Sequence, residues 1–378
     1  MSTKNTHTKI SEANTPCFLV DIDRLKKNSD KMMETCRKLK VDLRCHTKTH
    51  KTLEAADILT GGTRRKIACS TIPECRLYAD NDYEDILLAF PISADKIPRC
   101  AELANRLDEF HVMLSGLEGF PCLKDGASDL NAGKVWSVFV EIDCGYGRTG
   151  IAWDSDDTLE AGTLLKENPN TKLQGLYTHC GQSYDHMTPK QRKDHQKKIV
   201  SRLEGVAKKL RALGIEVPVV GTGSTPTCNM AEPVLSSFDE FHPGNYVFND
   251  VEQLYLGSCK LEDIACCVAT RVVCQRRDLN MLVVDCGFMG MSHDGMRQRP
   301  DDFCVIKDHP HLMYYDNSQE LGKVKAKEGE KLDFERYPVG TILFIYPFHS
   351  CATAALYQEY LVHSGEKITA TWKPVKGW

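Results

Sequence analysis

The feature that most limits the fold is a series of short apolar runs separated by amphipathic stretches. Eight such runs occupy the first two thirds of the chain, and each is followed by a segment that can form a helix. Alternating strands and helices predict a parallel sheet, and eight strands close a (β/α)8 TIM barrel. The eight predicted strands are 41–48, 66–70, 85–90, 109–115, 135–143, 172–179, 216–222 and 238–244.

The segment 190–214 carries the clearest helical pattern. Its apolar residues Ile199, Leu203, Val206 and Leu210 are spaced by three and four, and Gly214 supplies a stop signal. We therefore predict a long helix between the sixth and seventh strands.

After residue 261 the pattern changes to β-branched and aromatic runs separated by turn residues. The runs 266–273, 280–285, 312–316, 341–347 and 368–372 predict an all-β domain in which no helix of any length is expected. A further strand at 16–21 could pair with this domain or cap the barrel. The predicted domains are an N-terminal segment at 1–22, a barrel at 23–261 and a β domain at 262–378.

Composition excludes several classes of function. The 48 basic and 52 acidic side chains are evenly mixed and give a net charge of −4, so no nucleic-acid partner is expected and a small-molecule substrate is favoured. No apolar run reaches the roughly 18 residues that a membrane span requires. The polar start lacks the apolar core of an export signal, and an odd count of 17 cysteines argues against a disulfide framework, so we predict a cytoplasmic protein with reduced thiols.

Chemistry in such barrels belongs at the carboxyl ends of the strands. The first strand ends in the basic run 46–51, in which Lys48 would point into the barrel mouth. A desolvated lysine near other cations has a lowered pKa and becomes a Schiff-base nucleophile. The alternative interpretation is an ordinary basic loop.

A candidate phosphate site follows the seventh and eighth strands, where barrels commonly bind phosphate. The run 221–227 offers small residues and the hydroxyls of Ser224 and Thr225, and Gly244 with Asn245 could complete the same cradle. By itself such a loop is more often a turn. A lysine and a phosphate cradle in one barrel mouth together indicate pyridoxal phosphate (PLP).

Two more strand ends carry polar side chains. Arg148 lies between glycines just beyond the fifth strand, where the alternative to a site residue is a surface salt bridge. Tyr177 and Tyr184 belong to the polar end of the sixth strand, where either could instead be a core or rim residue.

A candidate metal pair lies in the predicted β domain. His349 and Cys351 are two residues apart, and on an extended strand both side chains would leave the same face. Imidazole and thiolate favour zinc over manganese or magnesium. Two protein ligands would leave positions open for water and substrate.

With these residues in place, the chain resembles the eukaryotic D-serine dehydratases. They belong to the fold-type III PLP enzymes, together with alanine racemase and D-threonine aldolase. The motifs that carry the resemblance run in family order from Thr15-Pro16 through His46-x-Lys48-Thr49-His50-Lys51, Asp143-x-Gly145-x-x-Arg148-x-Gly150, Gly223-Ser224-Thr225-Pro226-Thr227, Pro243-Gly244-x-Tyr246 and His349-Ser350-Cys351 to Gly377-Trp378.

The resemblance implies an alanine racemase-like fold and a D-serine ammonia-lyase (dehydratase). Lys48 would bind PLP, Arg148 would approach the phenolic oxygen of PLP, and His349 with Cys351 would bind zinc. The implied reaction converts D-serine, and also D-threonine, to a keto acid and ammonia; D-serine gives pyruvate. The implied assembly is a homodimer in which each β domain covers the barrel of the partner.

The chain departs from the family pattern at three positions. Phe348 stands where asparagine is usual, and Leu321 replaces an expected histidine. His242 precedes Pro243 where the racemases have the arginine that faces the pyridine nitrogen, which leaves Tyr177 as the candidate neighbour of that nitrogen. The alternatives are an aldolase-like or racemase-like PLP enzyme, or a non-catalytic PLP-binding homologue.

Overall fold

The computed structural model describes residues 8–185 and 187–378, so the first seven residues of the predicted segment 1–22 lie outside it. The chain divides into two compact units, which we call the β unit and the barrel unit. The β unit comprises the chain up to Ser29 together with Asn245–Pro374, and the barrel unit comprises Asp30–Gly244 with Val375–Trp378. The domain limits predicted at 22/23 and 261/262 remain predictions.

The barrel unit is built on a parallel sheet in which each strand pairs with the next along the chain. This arrangement confirms the predicted TIM barrel. Its strands, in order, are Asp42–Leu43 continuing into Cys45–His46, Ile67–Cys69, Asp85–Pro91, Glu109–Leu114, Trp136–Asp143, Thr171–His179, Val219–Gly223 and Glu240–Phe241, with the short strand Ile151–Ala152 beside the fifth.

The first strand closes the sheet by pairing on both sides. Cys45 and His46 are in register with the second strand. On the other side, Arg44 N–H donates to the Phe241 carbonyl at 2.8 Å and His46 N–H donates to the Pro243 carbonyl at 2.9 Å. Residues 42–46 therefore act as one strand of a closed, eight-stranded barrel.

Helices connect the barrel strands. The predicted long helix is confirmed as Pro189–Ala212, and it begins with a capping box in which Thr188 and Gln191 satisfy each other's backbone N–H groups. The others are Ile22–Leu39, which precedes the first strand, and Leu53–Leu59, Ile72–Ala79, Ile97–Arg106, Phe120–Asp125, Asp157–Glu167 and Thr225–Asn229.

A buried charge cluster lies inside the barrel. Arg44 donates through Nε to Glu240 Oε1 at 2.8 Å and through Nη1 to Asp85 Oδ1 at 2.5 Å. His111 Nε2 lies 3.3 Å from the same Asp85 oxygen. Burial by itself would raise the pKa of Asp85, but the hydrogen bonds from His111 and Arg44 hold that pKa below its usual range. The cluster links the first, third, fourth and eighth strands.

The β unit contains a nine-stranded sheet, which agrees with the β domain predicted from the sequence. The strand Cys17–Asp21 pairs antiparallel with Cys266–Arg276 and parallel with Tyr360–Ser364. The remaining strands are Met281–Val284, Val305–Ile306, Leu312–Asn317, Gly322–Ala326, Ile342–Tyr346 and Lys367–Trp372, and the helices are Val251–Tyr255 and Ser350–Ala354.

The prediction that one extended strand carries both His349 and Cys351 is wrong, although the backbone of His349 itself is extended. The strand ends at Tyr346, and Cys351 lies in the short helix Ser350–Ala354, which His349 precedes. The Ser350 N–H donates to Asp250 Oδ2 at 2.9 Å, so a side chain 100 residues away satisfies the first helical N–H. A local pattern of alternating residues could not reveal this distant cap.

None of the helices in the described ranges has the length and apolar character that crossing a membrane requires.

We expect Arg44→Met to lower the free energy of unfolding by about 3–5 kcal/mol, because Asp85 and Glu240 would stay buried without their cation. Arg65→Met is the control, since Arg65 pairs with two glutamates at the surface and exposed pairs contribute about 0–1 kcal/mol. Urea denaturation followed by circular dichroism measures both. Equal losses in the two variants would contradict a special role for the buried cluster.

Candidate active site

Lys48 lies where the first barrel strand ends. It is the middle residue of the 3₁₀ turn Thr47–Thr49, which starts directly after His46. The Lys48 N–H donates to His46 Nδ1 at 3.4 Å, and the side chain is half-buried. This is the end of the barrel at which such folds carry their chemistry.

Three histidines, of which His46 and His242 are buried and His179 is half-buried, share the electrostatic surroundings of Lys48. Burial is the main cause that lowers the pKa of His46, His179 and His242, and the positive charge of Lys48 adds to the effect in all three. For His242 the pKa falls to about 3, and for His179 the charge of Arg148 contributes as well. The three imidazoles are therefore neutral at neutral pH.

Tyr177 is buried on the sixth strand and stacks on one of these histidines. The rings of Tyr177 and His242 are 3.7 Å apart between centroids and 13° from parallel. Burial raises the pKa of Tyr177, so its phenol stays protonated. Tyr177 and His242 therefore form a stack of two neutral polar rings that carries no positive charge.

Arg148 lies in a loop that a carboxylate holds in shape. Asp143 accepts backbone hydrogen bonds from all three residues 145–147, at 2.7 to 3.0 Å. Arg148 itself is half-exposed, with Nη2 4.0 Å from Glu141 Oε1. This contact is at the limit of an ion pair, so the guanidinium is only loosely held.

Buried hydroxyls cluster after the sixth and seventh strands. Ser224 caps the helix Thr225–Asn229 by accepting from the Thr227 N–H at 3.3 Å, and its Oγ lies 2.7 Å from Ser183 Oγ. Thr225 is buried beside it, and Tyr184 is half-buried at the end of the 3₁₀ turn Gly181–Tyr184. These donors have the chemistry that binds a phosphate.

Two glycines allow the ends of neighbouring strands to approach closely. A Cβ added to Gly223 would lie 2.4 Å from His242 Nδ1 and 2.7 Å from the His242 carbonyl carbon. A Cβ on Gly244 would lie 3.1 Å from the His46 carbonyl oxygen. The candidate phosphate residues therefore depend on small residues at both strand ends.

Asn245 directs its side chain elsewhere than a phosphate cradle would require. Its Nδ2 donates to Asp250 Oδ2 at 2.6 Å and to Ser350 Oγ at 3.0 Å, and lies 3.7 Å from Cys351 Sγ. The side chain thus belongs to the surroundings of the candidate metal pair. Only the backbone of Asn245 is therefore available to a phosphate cradle.

His349 and Cys351 lie in hydrogen-bonding contact in the β unit. His349 Nδ1 is 2.7 Å from Asp294 Oδ2, an arrangement in which a carboxylate orients a zinc-binding imidazole. Over residues 8–185 and 187–378, no group of three or more His, Cys, Asp or Glu is arranged to hold a metal ion. The pair fits an open zinc site with two protein ligands, and no closed structural site.

The sequence interpretation assigned no role to several residues of these sites. His46, His179 and His242 each end or follow a barrel strand, so the rule that selected Lys48 could have selected them too. Asp294 lies 55 residues from His349 in an irregular segment, and no local pattern marks it.

Comparison with known proteins assigns the chain to a family. Residues 20–251 match the model "Alanine racemase, N-terminal domain", and residues 265–363 match "Putative serine dehydratase domain". The D-serine dehydratase of Dictyostelium discoideum is 34% identical over 393 residues, which cover 98% of each chain. The chain belongs to the D-serine dehydratase family.

Other relatives of this D-serine dehydratase family member differ in their named substrates. The D-threo-3-hydroxyaspartate dehydratase of Delftia sp. (strain HT23) is 29% identical, with 96% of this chain and 98% of the relative covered. Its solved structure has a TM-score of 0.90 and covers 98% of this chain and 100% of that one. An alanine racemase of Clostridium difficile, at 12% identity and a TM-score of 0.69, covers 95% of this chain and 98% of that one and shares the fold.

We expect Gly223→Ala to lower the free energy of unfolding by about 1–3 kcal/mol, because the new methyl group would overlap His242. Gly205→Ala is the matched control, since a Cβ there meets nothing within 4 Å. In the helix interior this control should stabilise the protein by about 0.5–1 kcal/mol. Urea denaturation compares the two variants, and a Gly223→Ala protein as stable as the wild type would contradict the close approach.

Proposed function

We propose that this D-serine dehydratase family member removes water from D-serine and yields pyruvate and ammonia, with D-threonine as a second substrate. The observation that carries the proposal is a half-buried lysine at a barrel mouth among three neutral histidines. The activity named for the Dictyostelium relative supports it. The cofactors are PLP and zinc.

The residues at the barrel mouth fit PLP in charge and in donor type. Lys48 would link to the cofactor, the hydroxyls of Ser224 and Thr225 would bind its phosphate, and Arg148 would bind its phenolic oxygen. The stacked phenol of Tyr177 is the candidate partner of the pyridine nitrogen. Tyr184 and the backbone of Gly244 and Asn245 complete the proposed set.

Bound PLP supplies the electron sink that allows the bond between Cα and its hydrogen to break. The Lys48 amine, released from the cofactor when the substrate amine takes its place, would be the group that accepts the Cα proton. His46, His179 and His242 do not compete for this proton, because imidazoles with such lowered pKa values are weak bases. Proton acceptance is thereby confined to Lys48.

The leaving hydroxyl needs help of its own, because hydroxide is a poor leaving group. Bound zinc supplies a Lewis acid for that oxygen. His349 and Cys351 would hold the metal, and Asp294 would fix the orientation of the imidazole through its 2.7 Å contact. One solved variant of a D-threo-3-hydroxyaspartate dehydratase, 28% identical to this chain, is a metal-free form, which supports a metal in related enzymes.

Chelation with EDTA should abolish pyruvate formation from D-serine while the absorbance band of lysine-bound PLP persists, since the metal ligands and the cofactor lysine belong to different units. Added zinc should restore activity. Cys351→Ala should resemble the chelated protein, and Cys274→Ala, which changes an exposed cysteine, should not. Loss of the band together with the metal contradicts this division, and no pyruvate from zinc-loaded protein overturns the proposed activity.

A homodimer is part of the proposal. Several apolar side chains of the β unit are exposed, and Phe288 and Leu356 line an open pocket of about 420 Å³ together with Ala352, the residue after Cys351. Phe288 and Met289 donate backbone hydrogen bonds to residues 318 and 319, which lie beside exposed Leu321. A second copy is the proposed occupant, because a symmetric pair would cover this apolar surface in both subunits.

Mixing inactive Lys48→Ala protein with inactive Cys351→Ala protein should restore about a quarter of wild-type activity. Random exchange makes half of the dimers mixed, and one of the two sites in each mixed dimer is intact if each site draws on both subunits. Sedimentation confirms exchange and assembly. No rescue after exchange, or a fully active monomer, contradicts a site shared between subunits.

The cysteines support a cytoplasmic location. All 17 lie in the described ranges, none of them forms a disulfide there, and most are buried. A reducing compartment keeps thiols in this state. We therefore include a cytoplasmic location in the proposal.

A further inference from the structure

Glu74 is a fully buried carboxylate in contact with the turn that carries Lys48. Its Oε2 accepts from Thr47 Oγ1 at 2.9 Å, and its Oε1 lies 3.1 Å from Lys51 Nζ. Thr47 directly precedes Lys48, and Lys51 follows it by three residues. One carboxylate therefore binds side chains on both sides of the lysine.

The backbone of the same turn is also constrained. The Lys51 N–H donates to the Thr47 carbonyl at 2.8 Å, and the Lys51 carbonyl accepts from the Val375 N–H at 2.9 Å. Lys51 has a left-handed backbone conformation, with φ at 54°. Non-glycine residues keep such a conformation only where their surroundings enforce it, and they cluster at functional sites.

Helix capping accounts for only part of the contacts of Glu74. Glu74 is the third residue of Ile72–Ala79, its N–H donates to Thr71 Oγ1 at 3.4 Å, and its carboxylate accepts from Thr71 Oγ1 at 3.1 Å and from the Ser70 N–H at 3.4 Å. The contacts with Thr47 and Lys51 lie outside this cap. The carboxylate has a further task, because burying a charge is unfavourable unless strong partners compensate for it.

We propose that Glu74 is a positioning residue for Lys48. By holding Thr47 and Lys51 at once, it sets the rotation of the turn and hence the direction in which the Lys48 amine leaves the barrel wall. Glu74 does not touch the reacting atoms and acts through the turn. The inference rests on the proposed function, in which Lys48 binds PLP.

The test uses Glu74→Gln, which keeps the side-chain volume but leaves one acceptor oxygen and no charge. Purified holoprotein is equilibrated with a series of PLP concentrations and reduced with borohydride. The Lys48 amine and the cofactor aldehyde condense with loss of water, and hydride converts the resulting double bond into a stable secondary amine. Mass spectrometry of the Lys48 peptide then gives the PLP concentration at half-labelling, expected to rise roughly 10-fold in the variant.

Two further variants separate positioning from folding. Thr47→Val removes one of the two side chains that Glu74 holds and leaves the cap on Ile72–Ala79, so it should shift half-labelling in the same direction as Glu74→Gln. Gln191→Ala disturbs the capping box of the remote helix Pro189–Ala212 and should leave half-labelling unchanged. If Glu74→Gln fails to fold, Thr47→Val decides the question.

The outcomes distinguish the inference from the proposed function on which it rests. No adduct on Lys48 in the wild-type protein overturns the assignment of Lys48 itself. An adduct in the wild type with an unshifted Glu74→Gln or Thr47→Val overturns the positioning role alone. A shift of equal size in Gln191→Ala also overturns it, because the effect would then follow general stability.

Discussion

Closure of the barrel between its first and eighth strands is the constraint on which the site depends. The backbone N–H groups of Arg44 and His46 donate to the carbonyls of Phe241 and Pro243, at the end of the eighth strand. His46 directly precedes the turn that carries Lys48. The same junction places Gly244 against His46 and His242 against Gly223. A Cβ at position 223 would overlap His242, and a Cβ at position 244 would fit only if His46 moved by a few tenths of an ångström.

The barrel contains a buried charge cluster as well as apolar core side chains such as Leu87, Met113 and Phe139. Arg44, Asp85 and Glu240 compensate for their burial through direct hydrogen bonds across three strands. Together with His111, they tie together strands that are distant in sequence. The cluster thereby joins the first strand, which ends at the turn of Lys48, to the third, fourth and eighth strands.

Much of this could be predicted from the sequence, because apolar runs report burial directly and strand ends are easy to locate. The eight barrel strands, the long helix and six of the nine strands of the β unit follow from such local patterns, whereas Val305–Ile306, Gly322–Ala326 and Tyr360–Ser364 were not predicted. What failed was conformation set by distant partners. The helix at Cys351 depends on Asp250, the orientation of His349 depends on Asp294, and the turn of Lys48 depends on Glu74. None of these contacts leaves a periodic signal.

The electrostatics of the mouth explain why the proposed reaction would need two cofactors. A carboxylate that keeps the pyridine nitrogen protonated would strengthen the electron sink, but the candidate there is Tyr177, a protonated phenol stacked on a neutral imidazole. With a weaker electron sink, the cofactor would lower the activation barrier for loss of hydroxide by less. Zinc held by His349 and Cys351 would lower the rest of that barrier by stabilising the charge on the leaving oxygen.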